Sequence, residues 1–298
     1  MSQETKEVFV VHHTDLDGIS AAMIVKEYCK KYDELHLVFI AVNYDADLRE
    51  NKLLQEYEFD DGYIVDYSFT EATRDQLFWL NRRCKGQLHW FDHHPTNDVL
   101  IREAVCNGIH VVNDQSRCGA LITWNELFSH DAIPQALFFI DDHDRWVHSD
   151  SRSKIFNLAC VSVGLNIDNA KIHHSLFADH NNETSVSDLL DLGYLLEAGQ
   201  REKNRSLCKR ALFKATFEGI PCFALNCFGS SQSFGEYIDQ RPLCVTFMFN
   251  GKEYVYGLYS KDGQTNCTEL AQKFGGNGHL GASGFMSAEF LLHDCERI

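Results

Sequence analysis

Four short polar clusters in this sequence could do chemistry together. They are His13-Thr14-Asp15-Leu16-Asp17-Gly18, the single Asp66, Asp92-His93-His94, and Asp141-Asp142-His143-Asp144. Together they offer carboxylate oxygens and imidazole nitrogens and no thiolate. Donors of that kind suit Mn²⁺, Mg²⁺, Fe²⁺ or Zn²⁺ better than a soft metal. There are more candidate donors than one ion needs, and one carboxylate can bridge two. Two ions about 3.5–4 Å apart can activate water and clamp the oxygens of a phosphate ester during hydrolysis. Singly, each cluster has an ordinary use. A D-x-D after a strand is commonly a solvated turn or a helix-start charge. His-His pairs recur at His12-His13 and His173-His174, and acidic runs usually face solvent. Their placement sets them apart.

Each cluster directly follows an apolar run. Residues 7–12 (EVFVVH), 62–65 (GYIV) and 88–91 (LHWF) read as strands, and residues 136–140 (ALFFI) lead into the fourth cluster. Further strands are expected at 36–42 and 109–112. Helical spacing marks 18–31, the stretch around 48–57, 71–83 with Thr70 as its N-cap, 97–104 and 117–128. Strands alternating with helices of this length indicate a doubly wound, mostly parallel α/β sheet. In such sheets ligands bind outside the carboxyl ends of the strands, which is where the polar clusters fall.

The pattern then changes. Residues 187–213 read as one long helix, and the runs at 245–250 and 253–260 flank Asn250-Gly251, a hairpin signal. The expected organisation is an α/β catalytic domain over 1–185, a helical connector over 186–214 and a smaller α+β domain over 215–298.

Composition narrows the function. The 298 residues carry 27 basic and 43 acidic side chains, a net charge of −16. Hydrophobic residues at 44 % and charged ones at 23 % are globular proportions and argue against disorder. No apolar run approaches the roughly 20 residues that span a bilayer, so no membrane role is expected. The opening MSQETKEV lacks the basic-then-apolar pattern of a secretory signal. Eleven scattered cysteines without a C-x-x-C read as reduced, small apolar residues of a cytoplasmic protein. Such acidity opposes binding of long duplex nucleic acid, which depends on many Lys/Arg–phosphate contacts. It leaves open a site that holds a phosphate through metal ions.

The HTDLDG cluster, the lone Asp after an apolar strand, DHH and the later Asp cluster resemble, in order, the motifs of the DHH phosphoesterase superfamily. Near the other end, Gly275-Gly276-Asn277-Gly278-His279-Leu280-Gly281-Ala282-Ser283-Gly284-Phe285 is similar to the glycine-rich signature of the DHH-associated C-terminal domain. One departure is Asn277, where many members have Gly; Asn tolerates positive φ better than most residues. The resemblance spans nearly the whole chain. It implies two divalent ions, foremost Mn²⁺ with Mg²⁺ as an alternative. His13, Asp15 and Asp66 would hold one; Asp17, Asp66, His93 and Asp142 would hold the other. Within the fourth cluster Asp141, Asp142 and Asp144 compete, and Asp142 is chosen on the D-x-D-x-W pattern. Asp92 would orient an imidazole and His94 would face the substrate phosphate. Gly276, Gly278, His279 and Arg117 would contact substrate phosphates. Trp146 is expected in the core or as a hinge contact rather than as a platform for a base.

The glycine-rich C-terminal signature separates the chain from the pyrophosphatase branch. Within the superfamily it is most similar to the oligoribonuclease (nano-RNase) type. The expected activity is hydrolysis of short oligonucleotides or dinucleotides to nucleoside 5′-monophosphates, with action on 3′-phosphoadenosine phosphate as a companion. Alternatives are a cyclic nucleotide phosphodiesterase, a single-strand exonuclease, and a catalytically silent binding protein. A homodimer is compatible with the sequence.

Overall fold

The β-branched and aromatic runs of the first half pair into one five-stranded, wholly parallel sheet. The computed structural model describes residues 5–32, 34–43, 46–177, 184–261 and 264–298. In chain order the first half runs β1 (Lys6–His13), α1 (Leu16–Cys29), β2 (Leu35–Val42), α2 (Lys52–Glu56), β3 (Asp61–Val65), α3 (Arg74–Arg83), β4 (Leu88–Asp92), α4 (Asp98–Cys106), β5 (His110–Asn113) and α5 (Gly119–Leu127). The strand order is β2-β1-β3-β4-β5. The order reverses between β1 and β3, and the carboxyl ends of those two strands border the natural ligand crevice of such a sheet. Both faces of the sheet are covered, as parallel strands require. On one side Val8, Val10 and Val65 pack with Ile24, Trp124 and Phe156. On the other, Phe9, Val11 and Ile64 pack with Leu54, Leu77 and Leu100.

Two boundaries differ from the periodicity. The third helix starts at Arg74 with Thr73, not Thr70, in the cap position. The Thr70 N–H instead donates to Thr73 Oγ1 at 2.9 Å in a preceding turn. The helix expected from 117 starts at Gly119, because Ser116 and Arg117 are drawn into a turn on Asp114.

Three helices follow: α6 (Gln135–Asp144), α7 (Ser151–Val163) and α8 (Ala170–Phe177). The ALFFI run is therefore helical. Then comes α9 (Thr184–Ala211), in the region expected to connect two domains. The chain divides into two compact units, Met1–Leu196 and Glu197–Ile298, within that helix.

The second unit holds β6 (Phe213–Phe217), β7 (Ile220–Asn226), β8 (Leu243–Phe249), β9 (Tyr254–Tyr259), α10 (Cys267–Gln272), β10 (Asn277–His279), β11 (Ala282–Ser287) and β12 (His293–Arg297). They form one sheet in the order β10-β11-β9-β8-β7-β6-β12, parallel only between β7 and β8. The Asn250-Gly251 signal lies in the turn between β8 and β9. There Asn250 Oδ1 accepts the N–H groups of Lys252 and Glu253, and Gly251 takes φ 99°. The architecture is thus α/β with a parallel sheet, followed by a mostly antiparallel α+β unit. All eleven cysteines are free thiols. Among the described residues no helix is long and apolar enough to cross a membrane.

Candidate metal centre

The carboxyl ends of β1, β3 and β4 gather the first three clusters. Where β1 ends, Asp15 caps α1: its Oδ1 accepts the Gly18 N–H at 3.0 Å, and its Oδ2 pairs with His13 Nδ1 at 2.7 Å. Asp17, in the first turn of α1, is 1 % exposed. Its two oxygens accept the first free N–H groups of α5, from Gly119 at 2.7 Å and Ala120 at 2.8 Å. That places a carboxylate at the positive end of a helix dipole. The contact needs glycine: a Cβ on Gly119 would lie 2.6 Å from Asp66 Cβ and 3.1 Å from Asp17 Oδ2.

Asp66 follows β3 with a left-handed backbone (φ 53°) that its own N–H, donating to Phe91 O at 2.9 Å, helps to fix. Asp92 ends β4 and is fully buried, with Oδ1 bonded to His94 Nδ1 at 2.8 Å. His93 stands between the carboxylates. Its Nε2 lies 3.2 Å from Asp66 Oδ1, 3.3 Å from Asp144 Oδ2 and 3.7 Å from Asp17 Oδ2.

Three overlapping donor sets result: His13, Asp15 and Asp66; Asp17, His93 and Asp144; and Asp66, His93 and His94. Within each, the ligand atoms lie within 4.8 Å of one another. Asp66 belongs to two of the three. The donors also fit a cation by a separate criterion. Both oxygens of Asp66 and one each of Asp92 and Asp144 are buried without a hydrogen-bond donor in bonding geometry. Buried polar atoms normally find partners, and a buried carboxylate without one is costly. A divalent ion would supply the missing partner.

The electrostatics point the same way. Burial, then the charges of Asp17, Asp15 and Asp144, push the Asp66 carboxyl well above its ordinary range. Burial followed by Asp17 and Asp15 lifts Asp144 to about 8. Asp17 is raised as well, chiefly by burial. Burial lowers His93 despite the pull of Asp17. Burial also works against a charged His94, but the Asp92 hydrogen bond and charge outweigh it and raise its pKa. The crowding favours either bound protons or bound cations.

Several expectations from the sequence are corrected. The fourth cluster ends a helix, not a strand, and Asp144 rather than Asp142 reaches the other donors. Asp142 faces away, where its carboxylate accepts from Ser149 N–H at 2.8 Å and from Ser153 Oγ at 2.6 Å. Burial raises that carboxyl, yet these bonds prevail and bring it down to about 2. Asp141 takes a third part, accepting the Cys118 N–H at 2.7 Å and pairing with Arg145. Trp146 is neither core nor buried: it is 78 % exposed. The Arg117 guanidinium, the candidate phosphate contact, stays partly exposed while pairing with Asp114 at 2.6 Å.

In the second unit the glycine-rich stretch forms a β-hairpin at the sheet edge. Asn277 pairs with Gly284 in extended backbone, while Gly275 and Gly278 take positive φ. Gly276 is needed for packing, since a Cβ there would meet Gly284 O at 2.2 Å. His279 is exposed at the end of β10.

Reading by residue type weighed Asp144 but chose Asp142, and it missed the α5 amides. A helical reading of 136–144 would have found the first, because Ile140 and Asp144 share a face at i, i+4. Nothing in residue identity marks the amides of Gly119 and Ala120.

No family model matches the chain. It is similar to the bifunctional oligoribonuclease and PAP phosphatase NrnA of Mycoplasma pneumoniae, 25 % identical over 233 residues, covering 74 % of this chain and 65 % of that protein. The chain thus spans less than two thirds of the relative's length. Among solved structures, a DHH domain described as a member of the s1p family of ribosomal proteins matches with a TM-score of 0.53 at 11 % identity, over 95 % of this chain and 83 % of that one. RecJ of Thermus thermophilus in complex with Mn²⁺ aligns with a TM-score of 0.47 at 14 % identity, over 94 % of this chain and 49 % of RecJ. The first unit thus shares the fold of a DHH domain, and the ordered HTDLDG, Asp66 and DHH motifs converge on one edge of its sheet.

Proposed function

We propose that the protein is a metal-dependent phosphodiesterase that hydrolyses short oligonucleotides or dinucleotides to nucleoside 5′-monophosphates, with 3′-phosphoadenosine phosphate as a further substrate. The observation that carries this reading is the group of three donor sets linked through Asp66 and His93, with buried oxygens that lack hydrogen-bond donors. Two divalent ions, foremost Mn²⁺, would be held by His13, Asp15 and Asp66 and by Asp17, Asp66, His93 and Asp144. Bound there, they supply Lewis-acid activation of the phosphoryl group and the attacking water. His94, oriented by its hydrogen bond to Asp92, offers its ring as a donor to the phosphoryl oxygens as negative charge develops on them. Asp17, anchored on the α5 amides, fixes the helix against the centre. Arg117, steadied by Asp114, contacts the substrate's phosphates, and the hairpin bearing Gly276, Gly278 and His279 serves as a second phosphate contact.

The relative's description as an oligoribonuclease and PAP phosphatase supports this substrate class. So does the net charge of −16, which disfavours long nucleic acid more than it disfavours dinucleotides. The free thiols agree with a reducing, cytoplasmic setting. The test is a panel of linear dinucleotides, 3′-phosphoadenosine phosphate, cyclic dinucleotides and single-stranded DNA, each with Mn²⁺. Linear dinucleotides should turn over fastest, releasing 5′-monophosphates. Preference for cyclic species or long DNA reassigns the substrate, and no hydrolysis of any member makes the protein a silent binder.

A further inference from the structure

Trp146 lies two residues past Asp144 in an unusual setting. Its backbone is left-handed (φ 55°), as is that of His148 (φ 51°), and its indole is 78 % exposed. A bulky side chain in that conformation is an outlier, and such strain persists only where surrounding structure imposes it. Here the surroundings are specific. The Trp146 N–H donates to His143 O at 3.1 Å, and Asp142 O accepts the N–H groups of Val147 at 3.1 Å and His148 at 3.2 Å. The Asp142 carboxylate closes the turn from beneath through Ser149 and Ser153. A buried charged group is thus committed to holding an exposed indole in place.

The indole faces useful space. With Asp15, Asp17 and Asp144 it lines a cavity of about 260 Å³, whose other wall includes Ile140, Val161 and Leu165. The His143 ring lies nearly parallel to the indole at 6.4 Å, and the His148 ring meets it edge-on at 5.1 Å. The volume falls just under the roughly 300–1,000 Å³ typical of sites for drug-sized ligands, so it suits one planar ring rather than a whole dinucleotide. An acidic rim with an apolar wall disfavours a second phosphate and accepts an uncharged ring. Aromatic side chains stack on any base, because every base has a π-face.

We infer that Trp146 is the platform of a nucleobase subsite beside the metal centre, and that Asp142 is its positioning residue. The inference rests on the phosphodiesterase reading and deepens it. The subsite receives the base of a nucleotide whose phosphate sits at the His13–Asp66–His93 cluster. It thereby favours nucleotides over inorganic phosphates without selecting among bases.

The experiment is equilibrium binding of adenosine 5′-monophosphate and of inorganic phosphate to the Mn²⁺-loaded protein by calorimetry, for wild type, Trp146→Ala, Trp146→Phe and Asp142→Asn. Trp146→Ala should weaken the nucleotide about 5- to 100-fold, the usual value of one stacked base, and leave inorganic phosphate within twofold. Trp146→Phe should keep most of the affinity. Asp142→Asn should show the same selective loss, with a changed Trp146 fluorescence emission. Linear dinucleotide hydrolysis by Trp146→Ala should show a raised KM with a smaller change in kcat. Equal weakening of both probes, no change in either, or a wild type with no preference for the nucleotide overturns the inference. If the preference and its loss in Trp146→Ala are seen while no substrate is hydrolysed, the subsite stands and the proposed activity falls.

Discussion

Two carboxylates two residues apart at the end of α6 meet opposite surroundings. On one side, under the 145–150 turn, Asp142 is encircled by donors and titrates at about 2. On the other, among the ends of β1, β3 and β4, Asp144 has a buried oxygen without a donor, faces other carboxylates and titrates at about 8. Both are acidic residues of one helix turn. Between these two α6 carboxylates, the one whose oxygens are supplied with donors closes a turn, and the one with an unsupplied oxygen joins the donor sets.

The largest effect should come from Asp66, which two donor sets share and whose oxygens are both buried without a donor. Asp66→Ala should lower phosphodiester hydrolysis more than about 10³-fold and abolish tight Mn²⁺ binding in calorimetry. Retained activity would sink the assignment of the centre.

The next comparison sets the two α6 carboxylates against each other. Asp144→Asn should weaken Mn²⁺ binding by about 10- to 100-fold while leaving the metal-free melting temperature unchanged or raised, since a crowded charge is removed. Asp142→Asn should leave Mn²⁺ affinity within about threefold but cost about 2–4 kcal/mol of stability, through weakened bonds to a charged acceptor. Reversed outcomes would restore Asp142 as the ligand.

A third prediction concerns pH. Asp66 and Asp144 have folded pKa values above their unfolded ones, so the metal-free folded state binds protons more tightly than the unfolded state. The associated stability is present in full below about pH 4 and is lost as pH rises towards about 8. With chelator present, the melting temperature should fall by roughly 5–10 °C between pH 5 and pH 8 from these groups. Excess Mn²⁺ should abolish the fall. A flat profile in chelator would mean that the carboxylates are not crowded.

The smallest effect should be at Arg117. Its ion pair with Asp114 is half-exposed, and such pairs contribute about 0–1 kcal/mol. Arg117→Ala should therefore raise KM about two- to fivefold with kcat and melting temperature little changed.

Much of this arrangement was legible in the sequence because strands end abruptly. EVFVVH, GYIV and LHWF each pass from apolar to Asp or His within one or two residues, and a parallel sheet turns such junctions into one edge. The strand order was not legible, since pairing is a tertiary outcome. ALFFI was ambiguous because a five-residue apolar run suits a buried strand or a helix equally. Its helical state moved the fourth motif from Asp142 to Asp144. The anchoring of Asp17 was invisible, because backbone amides carry no residue identity. The exposure of Trp146 ran against the usual fate of tryptophan, and the turn bonded to His143 and Asp142 carries it.

The place of β10 in its sheet has a consequence for solubility. An edge strand presents unpaired amides and carbonyls that can recruit another chain. At this edge the strand is only three residues long and includes Gly278 at φ 152°, too short and too irregular to template a partner strand. At the opposite edge β12 carries the charged, exposed sequence HDCER and a register shift between His293 and Glu296. One border of the sheet is protected by charge and the other by brevity. Brevity, unlike a long charged strand, also leaves the backbone at that border uncovered.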